Sequence, residues 1–572
     1  MISLMNIKKE LLFLAGFLIT ILSNAQQPKF EWGKSIGGTA LDYGISITFD
    51  NYGNTYTTGT FVGTVDFDPG SGISKLSSGG SDIFILKLDA FGQFIWAKKL
   101  GGKQNDYGQA ISSDKFGNIY TIGRFEGTAD FNPGIDSFLL TSAGGGDVFI
   151  SKLDSSGKFI WAKKMGGIEG DIGYCIAIDT KGNVYSTGHF TGTGDFDPGS
   201  EKYNLISSGY MDVFISKLDS LGNFVWARKI GGNSSSEALF IGLDGSGNVY
   251  TTGNFSGNAD FDPSNSIYNL TAKGDQDIFI SKLDNSGKFV WAKNFGGSSA
   301  FKMNHGYSLI LDKMGYIYTT GYFSGIADFN PGKDTFNLIS NGGSDMFILK
   351  LDLSGNFVWA KSIGSAGKDG GYGISLDSFG NVFTTGYFNG QVDFDPNKGI
   401  VNLTSNGVDD IFILKLNSVG NLVWVKGFGG DLNDEGTFIT ISKSGDIYTT
   451  GLFQSIIDCD PSSSVSNLTS TGGFDMFIHK MSKETIGLKN ILINKVKCYP
   501  NPNYGTLFID LTKRYSKDIN IQLLNSFSQI VMEETSSNQN STLNIQHLPS
   551  GLYFVKVTSD NNIIAMQKII KQ

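Results

Sequence analysis

Three cysteines in 572 residues, at 175, 459 and 498, are too few and too irregularly placed for a disulfide framework. None is shared by the other copies of the repeat described below, which also argues against a metal cluster. Of the four histidines, no two stand at metal-ligand spacing. His-Glu-x-x-His and phosphate-loop motifs are absent, and the many Gly pairs precede no helix that could cradle a nucleotide. Charged residues make up 17% of the chain and the net charge is −9, so the basic footprint of a nucleic-acid binder is missing. Long apolar runs are missing too. Leu11–Leu22 offers 12 residues, against the roughly 20 that span a bilayer. With Lys8 and Lys9 before it and Ser23-Asn24-Ala25 after it, this run reads as a signal peptide over 1–25, cleaved after Ala25. No Cys follows it to carry a lipid.

What is abundant is glycine, 76 residues, and aromatics, 13%. That balance suits short strands joined by tight turns. The aromatics repeat. All seven tryptophans fall in one pattern, as Trp32, Trp96, Trp161, Trp226, Trp291, Trp359 and Trp424, spaced by 64, 65, 65, 65, 68 and 65. The long interval reflects about three extra residues near Phe301 to Asn304. A second marker, Asp-Phe-Asp-Pro or a close variant, starts at Asp66, Asp130, Asp195, Asp260, Asp328, Asp393 and Asp458. A third, Asp-x-Phe-Ile or a close variant, starts at Asp82, Asp147, Asp212, Asp277, Asp345, Asp410 and Asp475.

Three markers in step define seven units. In the second, Gly108–Ser113, Asn118–Phe125, Val148–Leu153 and Phe159–Met165 read as strands, the last two joined by Asp154-Ser155-Ser156-Gly157 and the first two by Asp114-Lys115-Phe116-Gly117. Asp followed three residues later by Gly suits a type I turn closed by a left-handed glycine. Four strands per unit, seven times, predict an all-β, seven-bladed β-propeller over 26–486. The Trp segment Phe30–Ile36 precedes the first full unit, and none follows Met476–Met481. The N-terminal strand is therefore expected to complete the last blade and close the ring. The unit pattern Tyr-Gly-x-x-Ile-x-x-Asp-x-x-Gly-Asn-x-Tyr-x-Thr-Gly, followed by Asp-x-Phe-Ile-x-Lys-Leu-Asp-x-x-Gly-x-Phe-x-Trp, resembles the bacterial SBBP β-propeller repeat over about 30–482. The resemblance implies a fold and little about function.

The repeat stops near Leu488, and 487–572 have a strand pattern of their own. Strands are expected at Gly505–Asp510, Ile519–Leu524, Ile530–Glu533, up to Val557, and Ala565–Ile570. Tyr499-Pro500-Asn501-Pro502, Gly505, the step Pro549-Ser550-Gly551-Leu552-Tyr553 and the basic end with Lys568 and Lys571 resemble the type A sorting domain of the type IX secretion system of Bacteroidetes. That resemblance implies a small β-sandwich over 487–572, the secretion machinery as a partner, and export through the periplasm to the surface or medium.

Candidate sites follow from topology. The two tight hairpins of each unit share one face. The linkers between units and the long middle loops share the other, which is the expected binding face. The middle loop carries Asp66 and Asp68, Asp130 and Asn132, Asp195 and Asp197, Asp260 and Asp262, Asp328 and Asn330, Asp393 and Asp395, Asp458 and Asp460. Asp and Asn oxygens could take Ca²⁺, but the same residues before Pro-Gly make side-chain turns. A linker Asp recurs as Asp42, Asp106, Asp171, Asp369 and Asp434, replaced by Ser236 and Asn304, and reads as a loop cap. Glu237, His305, Cys175 and His189 break the repeat. A single reaction needs a singular constellation, so these are where chemistry would lie, although drift at a loop end explains them more simply. No residue is assigned a catalytic role and no cofactor is required. The seven tryptophans read as core, packing between sheets. The expected function is non-enzymatic binding of an extracellular glycan or protein. Alternatives are a propeller enzyme acting on polysaccharide, favoured by an acid pair at the channel mouth, or a structural scaffold.

Overall fold

The computed structural model describes residues 27–297, 304–483, 496–511, 519–525, 530–536, 540–559 and 562–572. The expected signal peptide with its cleavage after Ala25, and the extra residues up to 303, lie outside them. The chain divides into two compact units, Pro28–Lys483 and one holding the C-terminal residues. Every element among the described residues is a strand.

Among the described residues the larger unit holds seven antiparallel sheets with four blade strands each, four of them extended to six by two short strands of the following unit. In the second, Tyr107–Ser113, Ile119–Phe125, Asp147–Leu153 and Phe159–Gly167 are hydrogen-bonded in that order, from inner to outer strand. The turns form as the Asp-x-x-Gly spacing requires. Asp114 accepts Gly117 N–H at 3.0 Å, its Oδ1 accepts Phe116 and Asn118 N–H, and Gly117 takes φ 83°. Inner strands touch in sequence all round, the first meeting the last. The ring is closed by Phe30–Ile36, which pairs with Asp475–Met481 from Phe30 opposite Met481 to Ile36 opposite Met476.

The third strand differs from the simple inside–outside alternation that Val148–Leu153 suggests. Asp147–Leu153 is buried throughout, because a sheet between two neighbours has two covered faces. The alternation separates one inter-blade core from the next. The middle loop also contains an unanticipated short hairpin, Thr128–Asp130 with Leu139–Thr141, in which Asp130 pairs with Gly101 of the preceding outer strand. The same pairing ties the arms of the third, fourth and seventh blades to the blade before, and a single bridge between Gly296 and Asp328 does so for the fifth. Phe131 follows it into the core, fully buried, edge-on to Phe125 at 5.3 Å and tilted on Phe149 at 5.0 Å. Asp-Phe-Asp-Pro is thus a turn carrying a core plug.

The tryptophans sit on the outer strands, each against the ring of a second-strand aromatic. Trp226 is edge-on to Tyr185 at 6.2 Å, and its Nε1 donates to Asn285 O of the next blade at 3.3 Å. Lys217 lies over Tyr185 as well, 4.8 Å from the ring centroid. The arrangement joins apolar burial to a cation–π contact. The ring pairing recurs as Trp32 with Tyr448, Trp96 with Tyr56, Trp161 with Tyr120, Trp291 with Tyr250, Trp359 with Tyr318 and Trp424 with Phe383, at 6.0–6.4 Å. Trp32, Trp291 and Trp359 also donate Nε1 to a backbone carbonyl of the next blade, Ala90 O, Leu353 O and Ser418 O. The set does not behave uniformly as core. Trp161, Trp226 and Trp424 are buried, whereas Trp32, Trp96, Trp291 and Trp359 are only partly so. The physical reason is position. The outer strand forms the perimeter of the propeller, where blades splay apart, so these rings seal the margin of the inter-blade gap and its middle is filled by Tyr and Phe.

Each inter-blade junction also buries carboxylates. Burial pushes the linker residues Asp106, Asp171 and Asp434 up to about 7. At the third-strand Asp the outcome depends on its neighbour. Asp82 pairs with Lys99 at 2.8 Å and Asp147 with Lys164 at 3.3 Å. Asp345, Asp410 and Asp475 have no such lysine among the described residues, and burial carries them to about 6. In the unfolded chain these groups titrate near 3.9. Folding therefore takes up protons between about pH 4 and 7. The stability they confer is complete below the unfolded value and is lost as pH rises through 6–7. We expect a higher melting temperature at pH 5 than at pH 8, with net proton uptake on folding at pH 6. Equal melting temperatures at the two pH values would contradict this assignment.

The C-terminal unit stacks two sheets. One holds Val496–Tyr499, Thr506–Leu511 and Asn540–Asn544; the other holds Ile530–Ser536, Ile519–Asn525, Gly551–Ser559 and Asn562–Lys571. Leu507, Ile509, Ile521, Leu523, Leu543 and Val555 fill the space between them. The strand at Asn540–Asn544 had no counterpart in the sequence reading. Asn501 of the Tyr-Pro-Asn-Pro segment clamps the last strand. Its Nδ2 donates to Lys568 O at 3.0 Å and its Oδ1 accepts Ile570 N–H at 2.9 Å. Tyr499 stacks on Phe508 at 5.7 Å, Gly505 N–H binds buried Asn503, and Tyr553 O–H donates to Pro549 O at 2.9 Å.

Candidate functional site

The seven inner strands begin on the face that carries arms and linkers, and their first residues ring the channel mouth. A glycine in each second strand sets this geometry: at Gly59, Gly253 or Gly321, a Cβ would overlap the carbonyl oxygen of the first inner-strand residue. A bulge follows at the third inner-strand position of every blade. Below the mouth, Phe240 and Phe438 come from blades four and seven and stack at 6.3 Å and 20°, so their rings bridge the axis. The equivalent positions elsewhere hold small residues, Ser46, Ala110, Cys175, Ser308 and Gly373. The mouth is a cup with an aromatic floor.

At this rim the repeat breaks down. The first inner-strand position reads Tyr43, Tyr107, Ile172, Glu237, His305, Gly370 and Glu435. The paired second-strand position reads Thr60, Arg124, His189, Asn254, Tyr322, Tyr387 and Leu452. Two of the residues singled out from sequence come together there: His189 Nδ1 lies 3.7 Å from Glu237 Oε2. Tyr174 O–H reaches Glu237 Oε2 at 3.5 Å, and Asn254 Nδ2 donates to Glu237 Oε1 at 3.2 Å. Burial tends to raise Glu237, but His189 beside it, the Asn254 hydrogen bond and the charge of His305 outweigh it and hold its carboxyl below the usual range. Burial lowers His305, partly offset by Glu237.

From His305 an aromatic arc runs round the rim. His305 and Tyr322 rings lie at 5.0 Å, Tyr307 and Tyr322 at 5.7 Å, Tyr307 and Tyr372 at 4.7 Å, Tyr372 and Tyr387 at 5.4 Å. It ends at Glu435, which burial, reinforced by Asp409, pushes up to about 7 against a hydrogen bond from Tyr372. Sequence reading missed Glu435, Asn254 and the four tyrosines of the arc. The signal was available in the two columns of rim residues, once strand register aligns them.

The remaining candidates lie elsewhere. Cys175 is buried between blades and its thiol is pushed up to about 12 by burial. The arm carboxylates bind their own backbone. Asp66 Oδ1 accepts Asp68 and Ser74 N–H, and Asp68 Oδ1 accepts Gly70 N–H. The same bonds recur at Asp195 and Asp197, and at Asp393 and Asp395. Asp130, Asp260, Asp262, Asp328, Asp458 and Asp460 each accept a backbone N–H in the same way. Among the described residues no three His, Cys, Asp or Glu side chains are grouped as a metal centre. The linker Asp106 caps its loop, Oδ2 accepting Gly102 N–H at 2.7 Å and Oδ1 accepting Glu126 N–H at 3.0 Å.

Residues 497–572 match the secretion system C-terminal sorting domain family, and residues 95–124 match the β-propeller repeat family SBBP. An uncharacterised WD repeat-containing protein of Acanthamoeba polyphaga mimivirus is 25% identical over 469 residues, covering 69% of this chain and 34% of its own. The regulatory protein FlaEY of Caulobacter vibrioides is 27% identical over 158 residues, 27% of this chain and 16% of its own. The chain thus spans about a third of the first relative and a sixth of the second. Among solved structures, a protein of unknown function from Bacteroides caccae is similar at 9% identity and TM-score 0.26, covering 59% of this chain and 94% of that one. PorZ, a surface component of the type IX secretion system of Porphyromonas gingivalis, is similar at 10% identity and TM-score 0.15, covering 94% and 100%. Likeness at this level says nothing of activity. Among the described residues no helix is long and apolar enough to cross a membrane. With the propeller sheets in place, the chain is a secreted or cell-surface β-propeller protein, with an SBBP-type repeat matched at 95–124 and a type IX secretion C-terminal sorting domain at 497–572.

Proposed function

We propose that this protein is a binding protein of the cell surface or medium that receives its ligand, a glycan or a protein group, in the cup at the channel mouth. One observation carries the reading: blades that repeat their turns, core plugs and Trp contacts diverge at the rim, where polar and aromatic side chains are gathered. Structural positions need the same residue seven times, whereas a ligand site needs different ones. The arms serve as braces between blades, and calcium at their Asp pairs would be a structural ion.

The test is retention of the full chain on immobilised polysaccharides and proteins, in calcium and in chelator, scored for both binding and released product. Tyr372→Ala and His305→Ala are expected to weaken retention tenfold or more, while Asp68→Asn leaves it unchanged. Retention indifferent to the rim variants would remove the mouth as the site. A second reading has one specific support: Glu237 is held low while Glu435 is raised to about 7, the separation an acid–base pair uses. Product release abolished by Glu435→Gln would make the protein an enzyme.

A further inference from the structure

Several acceptors at the rim are unpaired or only partly paired. Glu237 and Glu435 bring four carboxylate oxygens, and Asp409 lies beside Glu435. Asn254 is 2% exposed and spends its Nδ2 on Glu237, leaving its Oδ1 buried without a hydrogen-bond partner. Both ring nitrogens of His305 are likewise buried without a partner, and a neutral imidazole always presents one of them as an acceptor. On the linker side of the rim, Asp42, Asp106, Asp171, Asp369 and Asp434 each directly precede an inner strand. The nearby permanent cation Arg124 is spent on Glu126 at 2.8 Å and on Gly145 O. A buried acceptor without a donor is costly, and acidic groups around a concave site focus a negative potential into it. Between the two glutamates, the faces of Tyr307, Tyr322, Tyr372 and Tyr387 offer the π surface that cations prefer.

Resting on the binding reading above, we infer that the group received at the mouth is a primary ammonium, held by Glu237, Asn254 and Glu435 over the tyrosine arc. Three N–H donors and one positive charge on a narrow stem match what the rim lacks. A sugar ring would bring hydroxyls that both donate and accept, and would leave the charge uncompensated. A quaternary ammonium would satisfy the charge and leave the acceptors empty.

The experiment is calorimetric titration of the full chain at pH 7.5 with Nα-acetyl-lysine methylamide and with glucosamine, two sources of the group. Nα-acetyl-norleucine methylamide and glucose serve as their neutral counterparts, and choline as the donor-free cation. The expected result is binding of one or both amines at least tenfold tighter than the neutral counterpart and choline. Glu237→Gln and Glu435→Gln should each cost tenfold or more, and Lys115→Ala, exposed on a tight hairpin turn of the opposite face, nothing. Glucose bound as tightly as glucosamine, with loss in the same variants, would keep the mouth as the site and overturn the ammonium. Amine binding indifferent to both variants would overturn the site and the ammonium together. An absence of amine binding would overturn the ammonium alone.

Discussion

Removal of Phe30–Ile36 is expected to abolish the single cooperative unfolding transition of the propeller. The segment supplies the outer strand of the last blade, six paired residues against Met476–Met481. It also brings Trp32, edge-on to Tyr448 at 6.4 Å, whose Nε1 reaches Ala90 O of the first blade at 3.3 Å. Phe30 lies 5.4 Å from the buried ring of His479. Loss of a single large core aromatic costs about 3–5 kcal/mol. Here two aromatics that are only partly buried go, together with the contact by which the last blade's outer strand reaches the first blade's turn. An exposed hydrophobic strand edge would remain. Calorimetry should show a broad, shifted transition, and size-exclusion chromatography should show association. A synthetic peptide of the missing strand should restore both in part. A sharp transition within a few degrees of the parent would show that the ring holds without its latch.

Truncation after Gln567 is expected to stop export to the surface and medium. The five residues removed include the backbone groups held by Asn501, and Ile569, which is buried in the sandwich core. The sorting surface can exist only if that last strand is docked. Fractionation should find the truncated chain retained inside the outer membrane, with at least a tenfold fall outside. Asn501→Ala should give an intermediate loss. Lys568→Ala, which keeps the backbone clamp, should export normally. Full export of the truncated chain would mean that the terminal strand is dispensable for sorting.

The blades were legible because three markers recur in register, and each proves to have its own physical task. Asp-x-Phe-Ile opens the buried third strand, Trp seals the outer margin of the inter-blade gap, and the Phe of Asp-Phe-Asp-Pro plugs the core. How deeply each Trp is covered was not legible, since Trp161 and Trp96 occupy the same strand position and differ only in what the neighbouring blade lays over them. The arms were not legible either, because three-residue strands such as Thr128–Asp130 have no periodicity to read and exist by pairing with Gly101 of another blade. Asn540–Asn544 hid for a similar reason: a polar edge strand, it shows one apolar residue, the buried Leu543, to the core. At the mouth, Glu237 and His305 were visible as departures from the repeat, but their partners were not. Tyr322 and Tyr387 look like ordinary strand aromatics, and Glu435 gains its neighbour Tyr372 only when blades six and seven meet. The last blade shows the same dependence in its core. Cys459 stands where six other blades have Phe, and His479 stacks on Phe428 at 4.7 Å, its Nε2 donating to Cys459 O, to refill the space.

The latch also fixes how the ring bears a pull. Phe30 lies opposite Met481, so the chain enters and leaves the propeller side by side at one end of one sheet. Tension drawn between those two ends would part the ladder one rung at a time, as a zipper opens. Tension applied to the C-terminal end alone meets a different resistance. Asp475–Met481 is flanked by Phe30–Ile36 on one side and Ile447–Phe453 on the other. A pull along it must slide it past both neighbours and break all their rungs at once. Held only by its sorting end, with a load at the mouth, the propeller is a tether that resists drag; stretched between its two ends, it is a release catch.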